Sequence, residues 1–574
     1  MARLALIDKA LGLIERKPAS DRFILRMLFF AFLGSSIYFG LIVNNSFVDI
    51  SPSYGGVLTE GIIGTPRFVN PVLATTRADL DMSALIYSGL LKIGVNGELV
   101  PNIAEAVTIS EDGRTYNITL KKDVRFHDGT PLTARDVVYT ITLIQNPDLK
   151  SPVRGNWNGV IVEELGEYEI NLVLEEAYTP FIENLTIGIL PRHTWDELPI
   201  EQIPFSQLNT EPIGSGPFEI ESVSYGVSGL IEAYHLAPFD AVSGRPNIDK
   251  VTVKFYKNES DLVEGFNKGE FSSTAQLPST ELSKINLNKY QVINEPLPRI
   301  FGIFLNQNKS AALRDESVRK ALSLALDRGQ MIDEILYGGG LPTESPVPSG
   351  FLGLESINLS TTSSTSTPLK QAREELVAGG WKQDDLGFWT KTIAGESVTL
   401  GVTLRTANTD LFDSTATYVA VAWRELGVEV RIEQFEQTDL LQSVIRPRDF
   451  EAILFGIDMS RAIDLYPFWH SSQKDDPGLN ISQYANIEVD SLLEDALTEQ
   501  DVALRIESVN KVANIITEEL PAIFLFTPTF SYILDKDITT ASITRISRPY
   551  ERFMNIESWY AHTERLWPLF REDK

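Results

Sequence analysis

The segment from Ala104 to Ile141, AEAVTISEDGRTYNITLKKDVRFHDGTPLTARDVVYTI, constrains the fold more tightly than any other part of the chain. Thr115 to Leu120 alternates polar and apolar residues as a half-buried strand does, and Asp112-Gly113 supplies the turn before it. His127-Asp128-Gly129-Thr130-Pro131 makes a second turn. After it Thr133 is a good N-cap, Asp136 completes a capping box, and Leu132 is placed to staple onto Val137. Strand, turn and helix therefore follow one another directly. Gly and Pro punctuate such turns for backbone reasons alone, so His127 is read as structural.

A second informative run extends from Phe304 to Gly340. Val318, Ala321, Leu322, Ala325 and Leu326 recur at helical spacing, Asp315 caps the start, and Gly338 to Gly340 ends the segment, which predicts a half-buried helix. Arg319, Asp327 and Arg328 are expected on its solvated face or in a structural ion pair. Together with Ile213-Gly214-Ser215-Gly216-Pro217-Phe218 and Asn267-Lys268-Gly269-Glu270-Phe271, these runs resemble the dipeptide/oligopeptide/nickel-binding family of extracellular solute-binding proteins of ABC importers. The resemblance covers most of the chain. It implies an α/β, two-lobed, periplasmic-binding-protein-like (Venus flytrap) fold with an extra inserted domain. Lobe I would comprise residues 55–80, 215–298 and 515–574, the inserted domain 81–214, and lobe II 299–514.

Composition agrees with several lobes, since 574 residues are too many for one core. A net charge of -28 repels nucleic acid and anionic lipid. The absence of cysteine excludes disulfides, thiol catalysis, Cys-based metal sites and a lipid-modified cysteine anchor.

The anchor is sought instead in Met27 to Val43, a 17-residue apolar run. Extended through Phe23, Ile24 and Leu25 past a snorkelling Arg26, it reaches the roughly 20 residues that span a bilayer. Through Arg26 the chain holds six basic and three acidic residues, which places residues 1–22 in the cytoplasm, 23–43 as a transmembrane signal anchor and the acidic body outside. A cleaved secretory signal is the alternative, although Asn44-Asn45-Ser46-Phe47 offers no small-x-small site. Leu4, Ile7, Leu11 and Ile14 fit either an interfacial helix or the start of the targeting segment. The Ser/Thr run from Ser360 to Thr367 reads as an exposed loop.

Catalytic signatures are missing: the sequence has no His-Glu-x-x-His, Gly-x-Ser-x-Gly or Walker loop, and its five histidines are scattered. No cofactor or metal is expected. The resemblance implies that an aspartate in Phe450 to Gln473 receives a peptide's amine, with Asp464 the first candidate and Asp458 the second; both also fit turn or capping carboxylates. Gly456-Ile457 stands where the family usually has Gly-Trp. Tyr466, Phe468 and Trp469 are candidate apolar walls, Asn306 and Asn308 candidate peptide partners, and Trp157 either a wall or a local core residue. Gln483-Tyr484-Ala485-Asn486, before a helix from about Asp490, is read as structural. The expected function is a monomeric, membrane-tethered extracellular protein that captures a peptide-like solute by lobe closure and presents it to an ABC permease. The alternatives are a peptidase-like hydrolase on a related scaffold, or a surface sensor or chaperone without transport.

Overall fold

The computed structural model describes residues 18–47, 49–240, 242, 244–351, 367–459, 461–541 and 543–566. Most of the cytoplasmic segment expected at 1–22, and the Ser/Thr run except Thr367, lie outside these residues. Ala19–Phe47 is a single helix, its apolar side chains from Phe23 to Ile42 exposed, long enough at about 1.5 Å per residue to cross a membrane. Two residues later Asp49–Ser53 pairs antiparallel with His562–Leu566.

The body is organised on a twelve-stranded mixed sheet. Its main path runs Glu429–Phe435, Gly401–Ala407, Ala452–Asp458, Arg299–Leu305, Ala522–Asp535, Ser273–Thr274, Val57–Ile63, Lys250–Tyr256, Ile231–Pro238 and Phe218–Tyr225. Tyr290–Pro296 and Gly340–Pro342 also pair with the long strand Ala522–Asp535. Arg299–Leu305 is apolar and buried on both faces, as a central strand covered on two sides must be.

The sheet serves two lobes. One core joins Val57–Ile63, Lys250–Tyr256 and the separate four-stranded sheet Ala104–Ile109, Thr115–Leu120, Glu169–Val173 and Ile161–Gly166 with residues from Phe530 to Trp559. Two further clusters, built from residues between Ile300 and Phe526, form the second lobe. The chain crosses at Leu297–Arg299 and again near Pro528, where the Leu297 N–H donates to the Pro528 carbonyl at 3.0 Å. This return lies about a dozen residues beyond the expected 515, because Val512 to Phe526 fills the second lobe's core.

The diagnostic block folds as its residues dictate. Thr115–Leu120 is a strand, Gly113 adopts φ 71°, and Ala134–Gln145 is a helix whose Thr133 N–H donates to Asp136 at 2.8 Å. Leu132 and Val137 are buried. His127 is half-buried, and its desolvation lowers its pKa to about 4. Its Nδ1 accepts from the Gly214 N–H and its Nε2 lies 3.1 Å from the Gly216 carbonyl. Both glycines press on the Ile86 backbone, where an added Cβ would stand 2.0 and 2.5 Å from it. The single helix expected around Val318 is two, Glu316–Leu324 and Arg328–Leu336, because Asp327 caps the second. Arg319 is not on a solvated face: it is buried, with its guanidinium on the carbonyls of Leu313, Arg314 and Glu519.

Candidate functional site

A cavity of about 930 Å³ lies between the lobes. The first lobe contributes Tyr87, Lys92, Trp157, Tyr178, Phe181, Glu183, Arg548, Tyr550, Glu551 and Phe553, and the second contributes Asp458, Met459 and Arg461. Trp157, at the end of the 3-10 turn Arg154–Trp157, packs edge-on against Phe181 with centroids 5.4 Å apart. That volume is at the upper end of typical small-ligand pockets, which run about 300–1,000 Å³.

The strand Ala452–Asp458 delivers the second lobe's residues, because its register sets Asp458 opposite Arg299 at the crossing. The Arg299 guanidinium grips Asp458 with two donors, Nη2 to Oδ2 at 2.8 Å. Immediately after the strand the chain bends toward the first lobe. The Arg461 N–H donates to Glu183 Oε2 at 3.2 Å and the Ala462 N–H to Glu183 Oε1 at 2.6 Å. The Arg461 guanidinium reaches the Gly97 carbonyl at 3.0 Å, the Arg545 carbonyl and the Glu551 carboxylate. Burial raises the pKa of both Glu183 and Glu551, against the opposing effects of the Ala462 N–H and of Arg461 respectively.

Asp464 is not among the residues lining the cavity. Its Oδ2 accepts from the Tyr178 hydroxyl at 3.0 Å and its Oδ1 from the Tyr466 N–H at 3.0 Å, and burial pushes its pKa up. Tyr178 itself lines the cavity, so Asp464 stands one residue behind the wall. Tyr466 stacks on His470 at 4.2 Å. Trp469 is fully buried in the second lobe's core, where the partly buried Phe468 packs. Asn306 and Asn308 lie beyond the other end of Arg299–Leu305, about 20 Å from the crossing at strand rise. Buried Asn306 donates to the Arg448 carbonyl and Asn308 to Gln483. Of the residues singled out from sequence, the structure thus brings Trp157 and Asp458 to the cavity. Sequence reasoning missed Glu183, Glu551 and Arg461. The last stands between the two aspartates it weighed, as the one cation in that loop.

The family model for bacterial extracellular solute-binding proteins, family 5 Middle, matches residues 98–477. The chain belongs to this family. The oligopeptide-binding protein AppA of Bacillus subtilis is 28% identical over 520 residues, covering 89% of this chain and 92% of the relative. The solved structure of that protein in complex with a nonapeptide aligns with TM-score 0.63 at 27% identity, over 89% of this chain and 99% of the other. The ABC transporter substrate-binding protein CtaP of Listeria monocytogenes aligns with TM-score 0.70 at 25% identity, over 88% and 99%. Family membership and these alignments establish a two-lobed solute-binding protein.

Proposed function

We propose that this chain is the extracellular substrate-binding component of an ABC importer, and that it captures a short peptide or peptide-like solute in the interlobe cavity. The observation that carries the reading is the cavity itself, whose walls come from both lobes, so that a solute within it touches both only when they are closed. Closure is then a population shift toward the state with the larger contact surface. Of the six wall carboxylates, Asp458, Glu551 and Glu557 pair with Arg299, Arg461 and Lys92, and Glu175, Glu176 and Glu183 then stand against Arg548, a balance that suits an amine-bearing solute. Tyr178 supplies apolar area for side chains, backed by Trp157 and Phe181, which are buried behind the wall.

In this reading Asp464 holds Tyr178 in the wall and acts on the solute through it, while Asp458 is neutralised by Arg299 at the crossing. The helix Ala19–Phe47 holds the body at the outer face of the membrane, a permease is the partner that accepts the solute, and the protein works as a monomer that binds without turnover. The test is calorimetry of the full-length protein in detergent with short peptides and their N-acetylated counterparts. Saturable binding of one peptide per chain is expected, with the peptide recovered intact. Cleavage of the peptide, or no heat with any member of the panel, would refute the reading.

A further inference from the structure

The segment from Arg461 to Asp464 makes more bonds to the first lobe than solute positioning requires. Arg461 and Ala462 offer both backbone N–H groups to Glu183, Asp464 accepts from Tyr178, and the Arg461 side chain is spread over Gly97, Arg545 and Glu551. Arg461 and Glu551 side chains are only 11% and 7% exposed, so this pair is desolvated. Between the two bonding stretches, Ile463 stands at φ 52°, a backbone region that β-branched residues strongly disfavour, while its side chain is buried in the second lobe's core. An outlier there persists only where its surroundings over-determine it. Here they do: the core holds Ile463 on one side and the first lobe holds its neighbours on the other.

We infer that Arg461 is a positioning residue for lobe closure, the centre of a protein-to-protein clasp that holds the cavity shut independently of the solute. The inference rests on the solute-capture reading of the cleft only for its purpose, not for its geometry. A clasp of this kind raises the fraction of chains already in the binding-competent state, and apparent affinity rises in proportion to that fraction. It also makes the segment from Arg461 to Asp464 the element that ties the two lobes together in the closed state. Arginine suits the clasp because Nη1 serves the two carbonyls while Nη2 serves the carboxylate, whereas lysine would have to serve all three from its single Nζ.

The chain has no cysteine, so spin labels can be placed uniquely. Full-length protein in nanodiscs, labelled through Asn117→Cys and Lys511→Cys at exposed positions of the two lobes, reports the interlobe distance by electron-electron resonance without added peptide. Arg461→Ala is expected to shift the closed-to-open ratio at least tenfold toward open, about 1.4 kcal/mol. Arg461→Lys should fall between. Glu551→Gln should shift it less, and the two changes together should be non-additive. Glu183→Gln keeps one acceptor but sets its amide N–H against the second backbone N–H, so it should also move the distance toward open, and it serves if Arg461→Ala fails to fold. An unchanged distance in a folded Arg461→Ala protein, full additivity of the Arg461 and Glu551 changes, or an unchanged distance with Glu183→Gln would overturn the clasp. Peptide titration forms a separate arm: an Arg461-dependent distance with no peptide response upholds the clasp and refutes only the capture reading.

Discussion

Replacing Arg552 by alanine strands two carboxylates in the middle of the first lobe. Arg552 donates to Asp81 Oδ1 at 2.8 Å, to Asp81 Oδ2 at 2.7 Å and to Glu60 Oε1 at 2.9 Å, and none of the three residues is more than 2% exposed. Burial raises the pKa of Glu60, whereas for Asp81 the nearby Arg552 and Arg77 outweigh burial and hold the carboxyl below its usual range. Removing one partner of a buried pair typically costs about 3–5 kcal/mol. Asp81 would keep Arg77 at 3.3 Å, and Glu60 would keep the Tyr532 hydroxyl at 2.9 Å and Ser273. A loss of about 3–4 kcal/mol is therefore expected, in the lower part of that range. Arg552 also fixes the turn Pro549–Phe553, which carries Tyr550, Glu551 and Phe553 to the cavity, so peptide affinity should fall with stability. Pulse proteolysis of the full-length protein across a urea series measures the loss. The triple change Glu60→Gln, Asp81→Asn, Arg552→Met, which leaves no buried charge among the three, should recover most of it. The alanine variant's deficit should also shrink as pH falls and the orphaned carboxyls protonate. A cost below about 1 kcal/mol, or a triple variant no better than the single one, would refute the reasoning.

Asp464→Asn should weaken a free-amine peptide and its N-acetylated counterpart by the same factor, of order tenfold, because the residue acts through Tyr178; calorimetry showing loss confined to the free amine would instead make Asp464 the amine partner. The full-length protein should fractionate with membranes and retain its first 43 residues, and a mature N-terminus just after Val43 would contradict the anchor.

What the sequence made legible was what short-range chemistry decides. The capping box of Thr133 and Asp136 and the staple of Leu132 on Val137 act within one helical turn, so the strand, turn and helix around them could be read directly. The break between Glu316–Leu324 and Arg328–Leu336 was hidden because the apolar spacing continues through Ala325 and Leu326, while Asp327 quietly caps a new helix. The return crossing was displaced because Ala522–Asp535 is one uninterrupted strand shared by both lobes, with no break in its pattern to mark the boundary. Asp464 was singled out by its loop, but its partner Tyr178 lies 286 residues away and no local pattern announces the pairing. Arg461 and Glu551 are joined in the same way, through space, by two loops that each look like ordinary surface.

Solute capture requires that the cavity hold a peptide-like molecule. Native mass spectrometry of the full-length protein released gently from membranes addresses this directly, since a solute enclosed between closed lobes dissociates slowly. One adduct per chain, with the mass and fragmentation of a short peptide and lost from the Arg461→Ala variant, is the result expected. A bare chain that also fails to take up any peptide offered to it, or an adduct of unrelated chemistry, would contradict the claim.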